Sequence, residues 1–223
     1  MSTPLLPQSF WFRLGFPCRR VDGLPRTRGA RLLGLPPECR LAEPTRLDGR
    51  EPWAEVRAAW NPEGLAIEVL AEGTLAVDDV EDRVDDAQLV RFWVDTRDTR
   101  NVSRATRFCH AFEVRFVRGR GKSRSSALAT IRQKAIARAV ADAPVASPDD
   151  LSARVESLAT RWRLEVFLPA RALNGFDPEV NRRLGFMYQL TDPLREPLIL
   201  GAGREFPVGE NPGLWATLEL VSP

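Results

Sequence analysis

The sequence predicts an all-β protein, a two-sheet antiparallel β-sandwich of jelly-roll type with an irregular N-terminal arm and one or two short helices. Three observations carry this expectation. From Trp53 onward the chain is written in short runs of alternating apolar and polar residues, the period of a strand with one buried face. Clusters of Gly, Pro, Asn and Asp separate those runs at short intervals. Eighteen prolines and six tryptophans in 223 residues suit a rigid, loop-rich sheet protein.

The elements follow in order. Residues 1–47 are rich in Pro, Arg and Gly, show little period, and read as an arm packed on a sandwich formed by residues 48–223. Short strands are expected in the arm at Phe10–Phe16 and Arg31–Leu35. "AEVRAAW" places Val56, Ala58 and Trp60 on one face, "NPEG" (61–64) turns the chain, and "LAIEVLAEG" returns Leu65, Ile67 and Val69 inward with Glu68 outward. Strands are predicted at 88–95 (Val90, Phe92 and Val94 inward) and at 107–117 (Phe108, Phe112, Val114 and Phe116 inward). "ALATIRQKAIARAVADA" (127–143) is ambiguous, since Leu128, Ile131 and Ala135 fit a helix face although nothing caps it. "WRLEVFLP" (162–169) puts Trp162, Leu164, Val166 and Leu168 on one side; "ARALNGFDP" is a short helical turn ended by Gly175; strands at 183–192 and 213–221 complete the set.

Composition excludes several function classes. Thirty-two basic residues against thirty acidic ones leave a net charge of +2, and no basic block dominates, which argues against a coat for nucleic acid or an anionic membrane surface. No run of 18 apolar residues is present, and the first twenty residues lack the charged and apolar regions of a secretory signal. A cytoplasmic, reduced protein is the expectation, with a Cys18–Cys39 disulfide as the alternative for an exported one. One histidine and three scattered cysteines cannot assemble a His-rich or Cys₄ zinc site, and no GxSxG elbow exists.

The densest chemistry lies in "DTRDTRNVSRATRFCHAF" (95–112), with two aspartates, four arginines, a cysteine and the one histidine. Strand alternation sends Cys109 and His110 to opposite faces, so they do not form a thiolate–imidazolium pair. His110 shares its face with the phenylalanines and reads as a buried, hydrogen-bonded core histidine. Asp95 ends a strand and can accept loop N–H groups while Arg97 reaches back over the sheet. The face of strand 88–95 away from the core carries Leu89, Arg91, Trp93 and Asp95, and the neighbouring strand adds Glu113 and Arg115. Trp215 and Thr217 lie on the corresponding face of the last strand. Outward tryptophans are either a stacking platform with polar groups beside it or are covered by the arm or the 118–150 segment; whether Trp93 and Trp215 share a sheet is left open by the sequence. The acidic run 78–86 has six acids in nine residues but lacks the DxDxDG spacing of a calcium loop and reads as a solvated segment.

In order along the chain, the "AAWNPEGLAIEV" hairpin, the "VDTRD" strand end, the "PARAL" element after "EVFL", the "LGF…D" strand and the closing "LWATLEL" resemble the family 9 carbohydrate-binding modules and the wider DOMON-like group, over about residues 48–221. "DTRDTRNVSRATRFCHAF" is similar to a mostly planctomycetal set of DOMON-like bacterial proteins. The resemblance implies a two-sheet sandwich without catalysis, in which aromatic rings and polar side chains hold terminal sugar units, with structural calcium in many members. Where the family commonly has an aspartate seven residues before the strand-end aspartate and an acidic or amide residue midway, this chain has Gln88 and Arg91. The expected function is therefore a non-catalytic module binding carbohydrate or another small ligand, with Trp93 and Trp215 stacking and Arg91, Asp95, Arg97, Glu113 and Arg115 as polar partners. The alternative is a protein-interaction module or structural sandwich without a sugar ligand. Haem, which some DOMON relatives hold, would need axial ligands; the one histidine, His110, is expected to face the core, and the methionines are Met1 and Met187.

Overall fold

The computed structural model describes residues 14–26, 31–77, 88–118, 127–201, 203 and 205–222. It contains eleven strands: β1 (Gly15–Arg20), β2 (Ala54–Asn61), β3 (Gly64–Glu72), β4 (Leu89–Asp95), β5 (Cys109–Arg118), β6 (Ala127–Lys134), β7 (Ser152–Ser157), β8 (Arg161–Pro169), β9 (Arg183–Asp192), β10 (Arg195–Ile199) and β11 (Ala216–Val221). The helical elements are 3₁₀ turns of three to five residues. One of them, Ala170–Ala172, stands where the short helical turn in "ARALNGFDP" was expected.

One hydrogen-bonded path runs β6-β5-β4-β9-β11-β1-β2-β3-β8-β7, with β10 added on β9. It divides into two sheets around β1. Gly15–Arg19 pair in parallel with Thr217–Val221 of β11, and Arg19 and Arg20 then pair in parallel with Ala59 and Trp60 of β2. The remaining ladders are antiparallel, so the sheet is mixed through this one strand. The two sheets face each other across a single core, where Phe116 of β5 meets Trp162 of β8 edge-on at 5.3 Å.

The alternation read from the sequence holds in the main hairpin. Val56 lies opposite Val69, Ala58 opposite Ile67 and Trp60 opposite Leu65, all fully buried. Residues 127–134 are a strand, not a helix: Ile131 pairs with Val114 and Ala129 with Phe116, so the residues that fitted a helical face are sorted by a period of two. Ladder pairing with β5 overrides local helix propensity here, and it leaves Leu128 half exposed on the other side.

Arg31–Leu35 does not form the expected strand. The backbone N–H groups of Leu32, Leu33 and Gly34 instead donate to the Glu165 carboxylate at 3.0, 3.1 and 2.8 Å, and that of Leu35 donates to Glu68 at 3.2 Å. Two outward carboxylates of the second sheet thus replace a ladder partner and pin the arm. Leu24, Leu33, Leu35 and Cys39 form a small second core beneath it, against Ala59, Ala66 and Phe167. All three cysteines are buried free thiols, so Cys18 and Cys39 are not bridged. Of the expected strand Phe10–Phe16, residues 10–13 fall outside the described residues, as does the acidic run 78–86 considered for calcium.

Candidate functional site

The predicted residues of the first sheet do share its outer face. Trp93 pairs with Met187 of β9, and the Trp215 ring lies beside Gly185 on the same face, so both tryptophans flank one methionine on one sheet. They do not form an open platform, however. Trp93 is 6% exposed and Trp215 4%. Among the described residues, the stretch before β11 covers them. Trp215 Nε1 donates to the Val208 carbonyl at 2.7 Å, and Gly209 packs so closely that a Cβ there would stand 3.2 Å from the Trp93 ring.

The polar partners on this face are spent on one another. Glu113 accepts from Arg91 at 2.9 Å and from Arg115 at 2.8 Å. Burial alone would raise its pKa, but hydrogen bonds from Arg115 and Arg91 hold the carboxyl below the usual carboxylate range. Asp95 is buried and accepts from the N–H groups of Arg97 (2.9 Å) and Thr99 (2.6 Å), which stabilises the turn after β4. Its pKa is raised by burial against those bonds. Arg97 leaves the face altogether: its guanidinium lies 4.9 Å from the Phe108 ring, with Arg107 at 5.1 Å from the same ring. Phe108, expected inward, sits just before β5 and is half-buried between these two cations. Asp98, in a left-handed conformation (φ 47°), gathers Thr217 Oγ1 (2.9 Å), Arg183 (2.8 Å) and Arg100 (3.2 Å), and so ties the 95–100 turn to β9 and β11.

Cys109 and His110 diverge as alternation requires, being opposite Asp95 and Val94 respectively. His110 is buried as expected and stacks on Phe112 at 6.2 Å; its one polar contact among the described residues is a weak one with the Asn174 backbone, and neither ring nitrogen makes a hydrogen bond of full geometry. Burial pushes its pKa down to about 4, against a smaller upward effect of the Asn174 backbone. Burial pushes the Cys109 thiol up to about 11, with the Asp95 charge adding to it. The pair has neither the geometry nor the ionisation of a nucleophile and base. Met187 lies on the outer face and His110 on the inner, so the two do not converge on a common ligand. A cavity of about 150 Å³ opens beside Cys109, walled largely by alanines. Its Gln133 amide already bonds the Pro144 carbonyl and the Ala146 N–H.

A second cavity, of about 180 Å³, lies on the outer face of the second sheet where the arm leaves it uncovered. Ala54, Pro52 and Leu70 supply apolar surface and Trp53 an indole; Glu55, Glu72, Arg40, Arg46 and Arg161 supply charge. Its size falls below the roughly 300–1,000 Å³ that encloses drug-sized ligands, and so fits a single ring. The half-buried Trp53 is fixed at both ends of its indole: Nε1 donates to the Glu196 carbonyl at 3.0 Å, and the Arg195 guanidinium lies 5.4 Å from the ring. Arg195 also donates to the Glu72 carbonyl at 2.9 Å, joining the β9–β10 hairpin to the rim. Glu55 is matched by Arg40 (3.2 Å) and Arg57 (2.7 Å). Arg161 and Glu72 stand directly opposite each other on β8 and β3, yet neither side chain has an ion-pair partner among the described residues.

Behind the Arg40–Arg46 wall, the arm drives one carboxyl into the core. Glu43 is 7% exposed and accepts from the Tyr188 hydroxyl at 2.7 Å, while its other oxygen and the Thr45 hydroxyl are buried without partners among the described residues. Burial raises the Glu43 pKa to about 7, against the lowering effects of Tyr188, Arg40 and Arg46.

Sequence reasoning missed this cleft because its residues come from four distant segments and form no local motif. One signal was available: Trp53 has the same strand parity as Glu55 and Arg57, so an aromatic precedes an outward charged pair.

No protein-family model matches the chain, and no curated protein matches it. Two solved structures of a family 9 carbohydrate-binding module from Caldicellulosiruptor kristjanssonii are similar to it, one in complex with glucose and one with cellotriose. The first aligns at a TM-score of 0.51 and 12% identity over 76% of this chain and 77% of the other. The second aligns at 0.50 and 12% over 76% and 75%. Among the described residues, no helix is long and apolar enough to cross a membrane. The chain has the β-sandwich fold of family 9 carbohydrate-binding modules.

Proposed function

We propose that the protein is a non-catalytic carbohydrate-binding module and that its sugar enters the Trp53 cleft. The observation that carries this reading is the composition of that cleft. It is a cavity of single-ring size and mostly polar lining, in which Trp53 and Leu70 stand beside a carboxylate, Glu72, and a guanidinium, Arg161, whose side chains have no hydrogen-bond or ion-pair partner among the described residues. A pyranose needs this combination: its C–H surface packs on an aromatic ring, and its paired hydroxyls take parallel hydrogen bonds from a guanidinium or to a carboxylate. The Trp93 face, by contrast, is covered and its charges are mutually paired. The fold is compatible with the reading, since the similar modules were solved with glucose and cellotriose.

Intrinsic tryptophan fluorescence titrated with a panel of mono- and oligosaccharides tests the proposal. The expected result is a saturable change with at least one sugar that is lost in Trp53→Ala. A folded protein that responds to no member of the panel, or a response that survives in Trp53→Ala, contradicts it.

A further inference from the structure

We propose that the sugar taken by the Trp53 cleft is a monoanion, a hexuronic acid or similar carboxylate-bearing ring, with Arg161 as the group that pairs with its carboxylate. The inference rests on the preceding reading of the cleft and adds the charge of the ligand.

It follows from how the local charges are matched. Glu55, the more buried acid, is neutralised by Arg40 at 3.2 Å, and Arg57 is shared between Glu55 at 2.7 Å and Glu68 at 3.5 Å. Arg46 pairs with Glu51 at 3.1 Å. What remains is Arg161 on the wall and Arg195 over the Trp53 ring, neither with a carboxylate partner among the described residues, against one unpaired acid, Glu72. Two unmatched cations against one unmatched anion leave a surplus of one positive charge, which one ligand carboxylate would balance. Direct opposition across the β3–β8 ladder makes Glu72 and Arg161 natural partners, yet the two side chains stay apart. That separation keeps Glu72 available for ring hydroxyls and Arg161 for a planar, bidentate acceptor. A guanidinium fork matches a carboxylate far better than it matches a lone hydroxyl. Arg161 is exposed, so both the wild type and a glutamine variant can present a folded cleft.

Isothermal titration with the matched pairs glucose and sodium glucuronate, and galactose and sodium galacturonate, tests the inference, with sodium acetate as an anion control. One uronate is expected to bind at least tenfold more tightly than its neutral partner and to weaken several-fold between 50 and 300 mM NaCl, as screening of a partly exposed pair requires (Debye lengths of roughly 14 and 6 Å). Arg161→Gln should remove most of that preference, weakening the uronate at least several-fold more than the neutral hexose. Neutral hexoses that bind as well as the uronates overturn the inference and leave the carbohydrate reading standing. Absence of binding by either class overturns both. Acetate that competes as well as the uronate also overturns it, because the site would then be an anion site without a sugar.

Discussion

Glu43 and His110 are buried on the same side of the first sheet's ladder and titrate in opposite senses across nearly the same pH range. Glu43 has its pKa raised from 4.5 to about 7, so the folded state holds a proton that the unfolded chain has released. Its contribution to stability is complete below pH 4.5 and is lost as pH rises through 7. His110 is depressed from 6.5 to about 4, so its contribution is complete above pH 6.5 and is lost as pH falls through 4. Each shift corresponds to about 3 kcal/mol at most. The two slopes oppose each other, so these two groups largely cancel between pH 4.5 and 6.5 in the wild type. Urea denaturation across this range checks the sign of each: Glu43→Gln should uncover stability that falls toward acid, and His110→Phe stability that falls toward neutrality. Parallel profiles for all three proteins would refute the assignment. At this scale the sequence was informative about His110, because alternation alone put it among the phenylalanines. It could not reveal Glu43, whose burial depends on Tyr188 across 145 residues.

At the scale of elements, each sheet has an outer face covered by its own irregular segment, and the two covers are held differently. The arm over the second sheet hangs on carboxylates. Glu165→Ala would leave three backbone N–H groups without their acceptor and remove a charge-assisted contact, a loss on the order of 3 kcal/mol. Tryptic cleavage after Arg31 should accelerate in that variant; an unchanged cleavage rate would mean the arm is held elsewhere. The cover over the first sheet rests on apolar packing against Trp93, Met187 and Trp215. Trp93→Leu should therefore lower the thermal midpoint and leave the sugar response intact, whereas loss of that response with the fold preserved would restore Trp93 as a ligand contact. The strands themselves were legible because a period of two with one buried face needs no partner to be recognised. Residues 127–134 and 31–35 were not, because an edge strand and a segment pinned by side chains take their conformation from β5 and from Glu165, neither of which is local.

The whole molecule is a sandwich joined through β1, which passes from β11 to β2 and makes one continuous path of the two sheets. No local pattern specifies a parallel bridge of this kind, because it pairs Gly15–Arg19 with Thr217–Val221. The same holds for the cleft, which gathers the arm, the start of β2, the end of β3 and the start of β8 around Trp53. The sequence resemblance led to the sandwich and to carbohydrate as the ligand class, but residue parity on a single strand led to Trp93, which the fold covers. In the function proposed, Trp53 is the indole that meets the sugar. Its Nε1–H, donated to the Glu196 carbonyl, gives a distinct reporter from those of Trp93 and Trp215. The most direct measurement is a ¹H–¹⁵N correlation spectrum, with indole signals assigned by substitution, recorded as glucose or glucuronate is added. The Trp53 signal is expected to shift progressively to saturation while those of Trp93 and Trp215 stay in place; shifts at Trp93 or Trp215 with Trp53 unmoved would place the sugar elsewhere and refute the Trp53 cleft.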